Sequence, residues 1–283
     1  MEIRTVGVVG AGTMGHGIAQ VALQNGLRVI LRDVEERILQ QARARIEKGF
    51  DRLMESGKFG EGQKADSMKM LTVTTNVGDL KNADFIVEAA TEDFGVKKAI
   101  FQDLDKSCRP STILASNTSS ISITKIGATT RRPDKVIGMH FMNPVAILQL
   151  VEVIRGVETA ADTAATTHDL AKRLGKTAVE AGDFPGFLAN RILMPMINEA
   201  VFALMEGVGT VEAIDTVMHL GMKHPMGPLA LADLIGLDIC LAVLRVLHDG
   251  MGDPKYRPSP LLVRMVDAGH LGRKSGRGFY NYS

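Results

Sequence analysis

The chain carries almost no excess charge: across 283 residues, 33 Lys and Arg stand against 32 Asp and Glu, a formal net charge of +1 at pH 7. No long run of one sign appears, so the electrostatic footprint of a nucleic-acid or membrane-surface partner is missing. Cysteine is scarce too. Cys108 and Cys240 lie far apart and form no C-x-x-C, so two buried thiols in a reducing compartment are expected rather than a disulfide framework. His16, His168, His219, His224, His248 and His270 form neither H-E-x-x-H nor an i,i+4 pair, and no metal is expected. Long apolar runs are absent: Asn198 and Glu199 interrupt 192–205, and Asp233, Asp238 and Arg245 interrupt 229–247, so neither reads as a membrane span. There is no internal repeat and no low-complexity segment. A strand pattern starts almost at Met1 without a basic-then-apolar leader, so the expectation is no signal peptide and a cytoplasmic protein.

What the chain does have is a strand-like run, Thr5-Val6-Gly7-Val8-Val9, leading into Gly10-Ala11-Gly12-Thr13-Met14-Gly15 and then a helical pattern. In a G-x-G-x-x-G of this kind Gly10 permits the tight turn, Gly12 lets backbone approach a pyrophosphate, and Gly15 lets helix and strand pack closely. The helix N-terminus offers N–H groups and a positive dipole end to phosphates. Asp33 ends the next apolar strand, placed to accept hydrogen bonds from an adenosine ribose. A carboxylate there favours a free 2′-hydroxyl over a 2′-phosphate, hence NAD over NADP, although Arg32 is adjacent and would compensate if turned that way.

The first part of the chain alternates: strands are predicted at 3–9, 27–32, 70–74, 84–89, 112–116 and 135–140, with helices at 13–25, 34–56 and 94–106. Runs such as Phe85-Ile86-Val87 suit a sheet covered on both faces. Two further strands, near 148–154 and 176–179, flank a helix at 162–174. After the turn cluster Gly182-Asp183-Phe184-Pro185-Gly186-Phe187 only helical patterns remain, at 187–206, 210–221, 229–248 and 259–268, with Pro195 expected to kink or break the first. The reading is an α/β fold: a Rossmann-type dinucleotide-binding domain over 1–183, then a smaller all-helical domain over 184–283.

Three polar clusters fall where strands end: Ser116-Asn117-Thr118-Ser119, His140-Phe141-Met142-Asn143-Pro144, and Glu152 inside an apolar strand. In an open parallel sheet, ligands bind beyond the carboxyl ends of the strands. His140 is the natural proton-transfer group, since imidazole changes charge near neutral pH. Glu152 is the best candidate to orient it, because a lone carboxylate among valines is costly without a partner. Each taken alone has a plainer reading: a structural histidine, a solvent-facing edge glutamate, a turn-and-cap sequence. Asn190 and Arg191 open the first helix of the second domain, where a substrate contact and an ordinary interdomain hydrogen bond fit equally well. The methionines (Met194, Met196, Met222, Met226) read as core or subunit contact, and the 271–280 tail as a surface turn anchored by its aromatic end.

Together with Val87-Glu88-Ala89-Ala90, Pro185-Gly186-Phe187, Asn190-Arg191, Pro225-Met226-Gly227-Pro228 and Gly276-Arg277-Gly278-Phe279-Tyr280, these motifs resemble the L-3-hydroxyacyl-CoA dehydrogenase family from the first strand to the last residues. In length and motif wording the chain is most similar to its short, single-function bacterial 3-hydroxybutyryl-CoA dehydrogenases. The resemblance implies an NAD-dependent enzyme that interconverts 3-hydroxybutyryl-CoA and acetoacetyl-CoA by hydride transfer, with a helical domain that completes the cleft and forms a homodimer contact. It implies that His140 is the catalytic base and Glu152 its orienting partner, and that Ser119 and Asn190 hydrogen-bond the reacting substrate oxygen. It also implies that Asp33, Glu92, Lys97, Asn143 and the loop Gly10, Ala11, Gly12, Thr13, Met14 and Gly15 contact the cofactor, with Ser119 beside them.

One departure stands out. A serine and a lysine that contact coenzyme A in mitochondrial relatives align with Gly49 and Ser56, so Lys48, Arg52 or Lys58 are the alternative partners for the carrier's phosphates. Three rival functions stay open at this level: a dehydrogenase of a small CoA-free hydroxy acid, a non-catalytic protein that keeps the fold and cofactor site, and a nucleotide-binding regulator.

Overall fold

A computed structural model describes residues 2–282, and the chain divides into two compact units, Met1–Asp183 and Phe184–Ser283. The first unit begins with β1 (Thr5–Val9), α1 (Thr13–Gln24), β2 (Arg28–Arg32), α2 (Glu36–Glu55), α3 (Glu61–Lys69) and β3 (Leu71–Thr74). It continues with β4 (Phe85–Glu88), α4 (Phe94–Ser107), β5 (Ile113–Ser116), α5 (Ile123–Gly127), β6 (Val136–Phe141), β7 (Leu150–Arg155), α6 (Ala161–Arg173) and β8 (Thr177–Gly182). These strands form one sheet in the order β3-β2-β1-β4-β5-β6-β7-β8. The first six follow the Rossmann order, with the reversal between β1 and β4 that opens a crevice at their carboxyl ends.

Burial follows the sequence texture. β4, β5 and β6 are buried at every position, as expected for strands with helices on both faces. Helix α2 buries Leu39, Ala42, Ile46 and Phe50, a stripe spaced three and four residues apart, and leaves its charged residues to solvent. Two short helices went unforeseen. α3 has little amphipathic pattern, and its start is marked locally by Gln63, whose Oε1 accepts from the Gly60 N–H at 2.8 Å. α5 is capped by Ser122 and by Asp183, whose carboxylate accepts from the Ser122 hydroxyl at 2.7 Å and from the Ile123 and Thr124 amides at 2.9 and 2.8 Å.

A single reversal of direction places the polar residues. The short connection 142–149 brings the chain back so that β7 runs antiparallel to β6, with Gly138↔Ile154 and His140↔Glu152 in register. The start of β7 therefore lies beside the end of β6. β8, joined through α6, is parallel to β7.

The second unit holds α7 (Ala189–Met205), α8 (Val211–Thr216), a π turn (Val217–Gly221), α9 (Pro228–Ile235), α10 (Leu237–Met251) and α11 (Pro260–Asp267). The local break expected at Pro195 and the single helix expected over 229–248 are corrected here. α7 continues through Pro195 without a break, since one missing N–H donor is tolerated where a packed face, with Met194, Ile197 and Val201 buried, holds the helix. The single helix read over 229–248 is two helices, because Gly236 at φ +106 leaves the helical region and separates α9 from α10. Asp233, which interrupts the second apolar run, is satisfied. The Asp233 carboxylate, 1 % exposed, accepts from the Phe279 and Tyr280 amides and from the Tyr282 hydroxyl at 3.0, 2.9 and 3.0 Å, and Tyr280 donates to Asp215 at 2.9 Å. These bonds anchor the aromatic end of the chain.

Candidate active site

The glycine loop has the geometry its sequence demands. Gly10 sits at φ +95, and a Cβ there would lie 2.7 Å from the Ala89 carbonyl oxygen; one on Gly15 would collide with the Gly10 carbonyl. At Gly12 the space a Cβ would fill is open, leaving the N-terminus of α1 approachable. Asp33 holds the loop from the neighbouring strand end: one carboxylate oxygen accepts from the Ala11 amide at 2.7 Å, the other from the Val34 amide at 2.7 Å. Arg32 is turned toward the β3 side, its Nε donating to the Thr75 carbonyl at 3.4 Å.

At the same edge of the sheet, His140 Nδ1 lies 2.8 Å from Glu152 Oε2. The histidine is 8 % exposed and the glutamate 1 %. The plainer reading of Glu152 as a solvent-facing edge residue is overturned, because β7 is covered by β6 on one side and β8 on the other. A carboxylate at that distance accepts a hydrogen bond from Nδ1–H and so fixes the tautomer. The strand end is held by Asn117, whose Oδ1 accepts from the Phe141 amide at 2.9 Å, beyond the last β5–β6 pair, Ser116↔Gly138.

Glu92 organises the loop after β5. Its Oε1 accepts from the Thr118 hydroxyl at 2.6 Å, from the Ser119 amide and hydroxyl at 2.9 and 3.2 Å, and from the Ser120 amide and hydroxyl at 3.0 and 2.9 Å. Burial opposes ionisation there, yet the Thr118 hydroxyl, the Lys97 ammonium, the Ser120 hydroxyl and the Ser119 amide outweigh it and hold the carboxyl below the ordinary glutamate value. Lys97 is almost wholly buried. Its ammonium lies 2.7 Å from Glu88 and 3.4 Å from Glu92, and Glu88 also accepts from Ser116 at 2.6 Å and from the Ala90 amide at 2.7 Å.

Comparison with known proteins decides the family. Residues 5–184 match the model described as 3-hydroxyacyl-CoA dehydrogenase, NAD binding domain, and residues 186–282 match 3-hydroxyacyl-CoA dehydrogenase, C-terminal domain. The chain belongs to the 3-hydroxyacyl-CoA dehydrogenase family. It is 52 % identical over 282 residues to a probable 3-hydroxybutyryl-CoA dehydrogenase of Bacillus subtilis (strain 168), spanning 100 % of this chain and 98 % of that one. With the 3-hydroxybutyryl-CoA dehydrogenase of Bradyrhizobium diazoefficiens it shares 49 % identity over 280 residues, 99 % and 96 % of the two chains. The crystal structure of (S)-3-hydroxybutyryl-CoA dehydrogenase PaaH1 from Ralstonia eutropha superposes with a TM-score of 0.98 at 50 % identity, covering 100 % of both.

Family membership makes the protein an oxidoreductase with NAD as its cofactor. The residues present fit that cofactor: an open Gly12 surface at a helix N-terminus for the diphosphate, and a carboxylate at the end of β2 for the ribose. Among the described residues no helix is long and apolar enough to cross a membrane.

Beside the loop lies a groove of about 680 Å³ whose lining includes Arg45, Lys48, Arg52, Lys58 and Lys176 and no carboxylate among the described residues. Arg45, Lys48 and Arg52 stand on one face of α2, and the groove's other wall is the connection after β6, from Asn143 to Ile147. A Cβ at position 49 would lie 2.2 Å from Gln20 Oε1 on α1, so a larger residue there needs the Gln20 amide to move. Burial pushes His16, on the same wall, below the ordinary imidazole value; a bond to the Gly12 carbonyl opposes this, and Arg45 adds to it. Of the residues singled out from sequence, the fold joins His140 to Glu152, Ser119 to Glu92 to Lys97, and Asp33 to the glycine loop; Asn190 stands in the first turn of α7. Sequence reading missed Glu88, Asn117, Asp183 and Lys176 as partners. A glutamate closing an apolar strand was the available signal for Glu88.

Proposed function

We propose that the protein is an NAD-dependent (S)-3-hydroxybutyryl-CoA dehydrogenase, interconverting 3-hydroxybutyryl-CoA and acetoacetyl-CoA with His140 and Glu152 as its proton-transfer pair. The observation that carries this reading is the 2.8 Å contact between a buried histidine and a buried glutamate, at the sheet edge that also bears the dinucleotide loop. NAD, when bound, supplies the hydride acceptor, and NADH the donor.

The chain's own residues do the rest. In the oxidative direction His140 takes the proton of the 3-hydroxyl through Nε2, because Nδ1 is committed to Glu152. The ring gains positive charge as it does so, and the glutamate carboxylate offsets that charge. Ser119 swings its hydroxyl from Glu92, which keeps the Ser119 amide, and donates to the substrate oxygen as it acquires alkoxide character; the resemblance gives Asn190 the same task. Glu92 holds Ser119 in place, and Asp33, Asn143 and the loop 10–15 seat the cofactor. In reverse, the imidazolium returns its proton to the oxygen of the ketone.

Lys48, Arg52 and Lys58 seat the phosphates of the CoA carrier. The groove supports this by its lack of carboxylates and its position against the connection that follows His140. A homodimer forms through the helical unit, which exposes Ile192 at 68 %, Val208 at 77 % and Leu220 at 70 % and carries an apolar cavity of about 460 Å³ beside Met196 and Val217. The test is a set of initial rates of NADH oxidation with 3-ketoacyl-CoA thioesters of rising chain length, with free acetoacetate and NADPH as further arms. Highest kcat/KM with acetoacetyl-CoA and NADH supports the reading; turnover of free acetoacetate at a similar kcat/KM overturns it.

A further inference from the structure

Lys176 lines the basic groove, but its ammonium is spent on backbone carbonyls, and neither the proton-transfer chemistry nor the phosphate seat described so far uses it. It follows Gly175 (φ +70) at the corner between α6 and β8, and only 8 % of the residue is exposed. Its Nζ donates to two backbone carbonyls of the connection between β6 and β7, Val145 O at 2.5 Å and Leu148 O at 2.8 Å. Burying an ammonium against carbonyls is costly, so what those bonds hold matters. They hold the segment that leaves His140 and arrives at Glu152.

That segment is held by two elements. Val145 is 3 % exposed and packs against α1, where a Cβ on Gly17 would lie 3.0 Å from the Val145 Cβ. The other contacts are the two Lys176 bonds and the Thr177 amide, which donates to Gln149 O at 2.7 Å. Asn143 thus sits between the end of β6 and a valine clamped onto the phosphate-binding helix. We propose that Lys176 is a positioning residue for the reaction, fixing the 142–149 connection so that Asn143, His140 and Glu152 keep their alignment with the dinucleotide helix. The role rests on the dehydrogenase reading above and acts through those three residues, not on substrate.

The consequence is a loss of rate rather than of affinity. A misplacement of about 1 Å at a reacting centre can cost on the order of 10²-fold. K176M keeps the aliphatic stem and removes the donor. It is expected to lower kcat for acetoacetyl-CoA reduction about tenfold or more, with KM changed less than about threefold. Amide hydrogen exchange over 142–149 should quicken in the variant while β1 and β2 stay protected. The second variant controls for folding: K176C, assayed before and after treatment with 2-bromoethylamine, regains an ammonium at nearly lysine reach within the same folded protein. Recovery of most of the lost kcat supports the proposal. Three results overturn it: kcat of K176M within about twofold of the parent, a loss confined to KM, or no recovery after complete alkylation. Global unfolding of both variants makes Lys176 a stability residue and overturns it equally. A parent protein inactive on acetoacetyl-CoA defeats the functional reading instead, and exchange over 142–149 still reports on the clamp.

Discussion

His140 and Glu152 stand opposite one another across the antiparallel ladder of β6 and β7, with Nδ1 2.8 Å from Oε2 and both side chains nearly sealed from solvent. Register puts them there. A slip of one residue would turn one of the two to the other face of the sheet, so the pair depends on backbone pairing as much as on side-chain chemistry.

The first expected outcome concerns that pair. General acid–base transfer contributes about 10²–10⁴-fold, so H140A should lose at least two decades of kcat while the Kd for NADH, read by fluorescence, changes little. E152Q is isosteric but cannot offset imidazolium charge, and it should lose kcat on the order of 10²-fold with binding retained. Unchanged kcat in either variant removes that residue from the mechanism.

The proposed discrimination between NAD and NADP rests on Asp33. Its carboxylate organises the loop through Ala11 and opposes a 2′-phosphate, while Arg32 is drawn toward Thr75. D33A should shift the ratio of kcat/KM for NADPH over NADH upward by about tenfold, close to 1.4 kcal/mol of discrimination. An unaltered ratio would transfer the discrimination to another group.

Glu92 ties acid stability to the Ser119 loop. Its native carboxyl titrates below the ordinary glutamate value of 4.5. The unfolded chain therefore binds the proton first. The Glu92 contribution is present in full above about pH 4.5 and is lost as pH falls through the lower native value. Tm measured from pH 7 downward should fall less steeply in E92Q than in the parent, from a lower starting point. Parallel curves would show that the carboxylate carries no such linkage.

How much of this was legible in the chain depends on distance along it. The dinucleotide loop is local: spacing alone gave Gly10, Gly12, Gly15 and the acid at the end of β2. The His140–Glu152 pairing was legible as an expectation, since a carboxylate among valines demands a partner, but the register that joins them needed the antiparallel return over 142–149. The Glu92 hub was not legible as a hub, because it joins a loop after β4 to one after β5 through the neighbouring ends of two parallel strands. Lys176 was invisible for a different reason. A lysine opening a strand pattern after a glycine gives no sign of burial, and only the return of the 142–149 connection, whose Val145 and Leu148 carbonyls it reaches, buries it. Gly236 was read through as helix because one glycine in an apolar run is tolerated, and its φ of +106 is a tertiary outcome.

The two thiols are expected to be silent. Burial pushes the Cys108 thiol up to about 11, against the pull of Arg132 and Arg109, and burial with the nearby Asp238 charge pushes Cys240 up to about 12. At pH 8 neither presents appreciable thiolate, so 5,5′-dithiobis(2-nitrobenzoate) should titrate almost nothing in the native protein and both cysteines in guanidinium. Rapid native-state reaction would mean that one of these sites opens.

The basic groove makes a prediction separable from the chemistry at His140. Lys48 and Arg52 line it from α2, with Lys58 just beyond the helix and no carboxylate in the lining among the described residues. Phosphates bound there interact through partly screened charge, so reversing two of the cations should raise KM for acetoacetyl-CoA by about tenfold or more at low salt, and less at high salt. The K48E/R52E double variant should keep the parent kcat, since neither side chain belongs to the proton-transfer pair. The decisive arm replaces the carrier: an acetoacetyl thioester of pantetheine has no phosphate to lose, so its KM should be the same in parent and variant. A KM that rises equally for both thioesters would mean that the groove shapes the acyl site rather than the carrier site, and the CoA phosphates would then have to be placed elsewhere on the first unit.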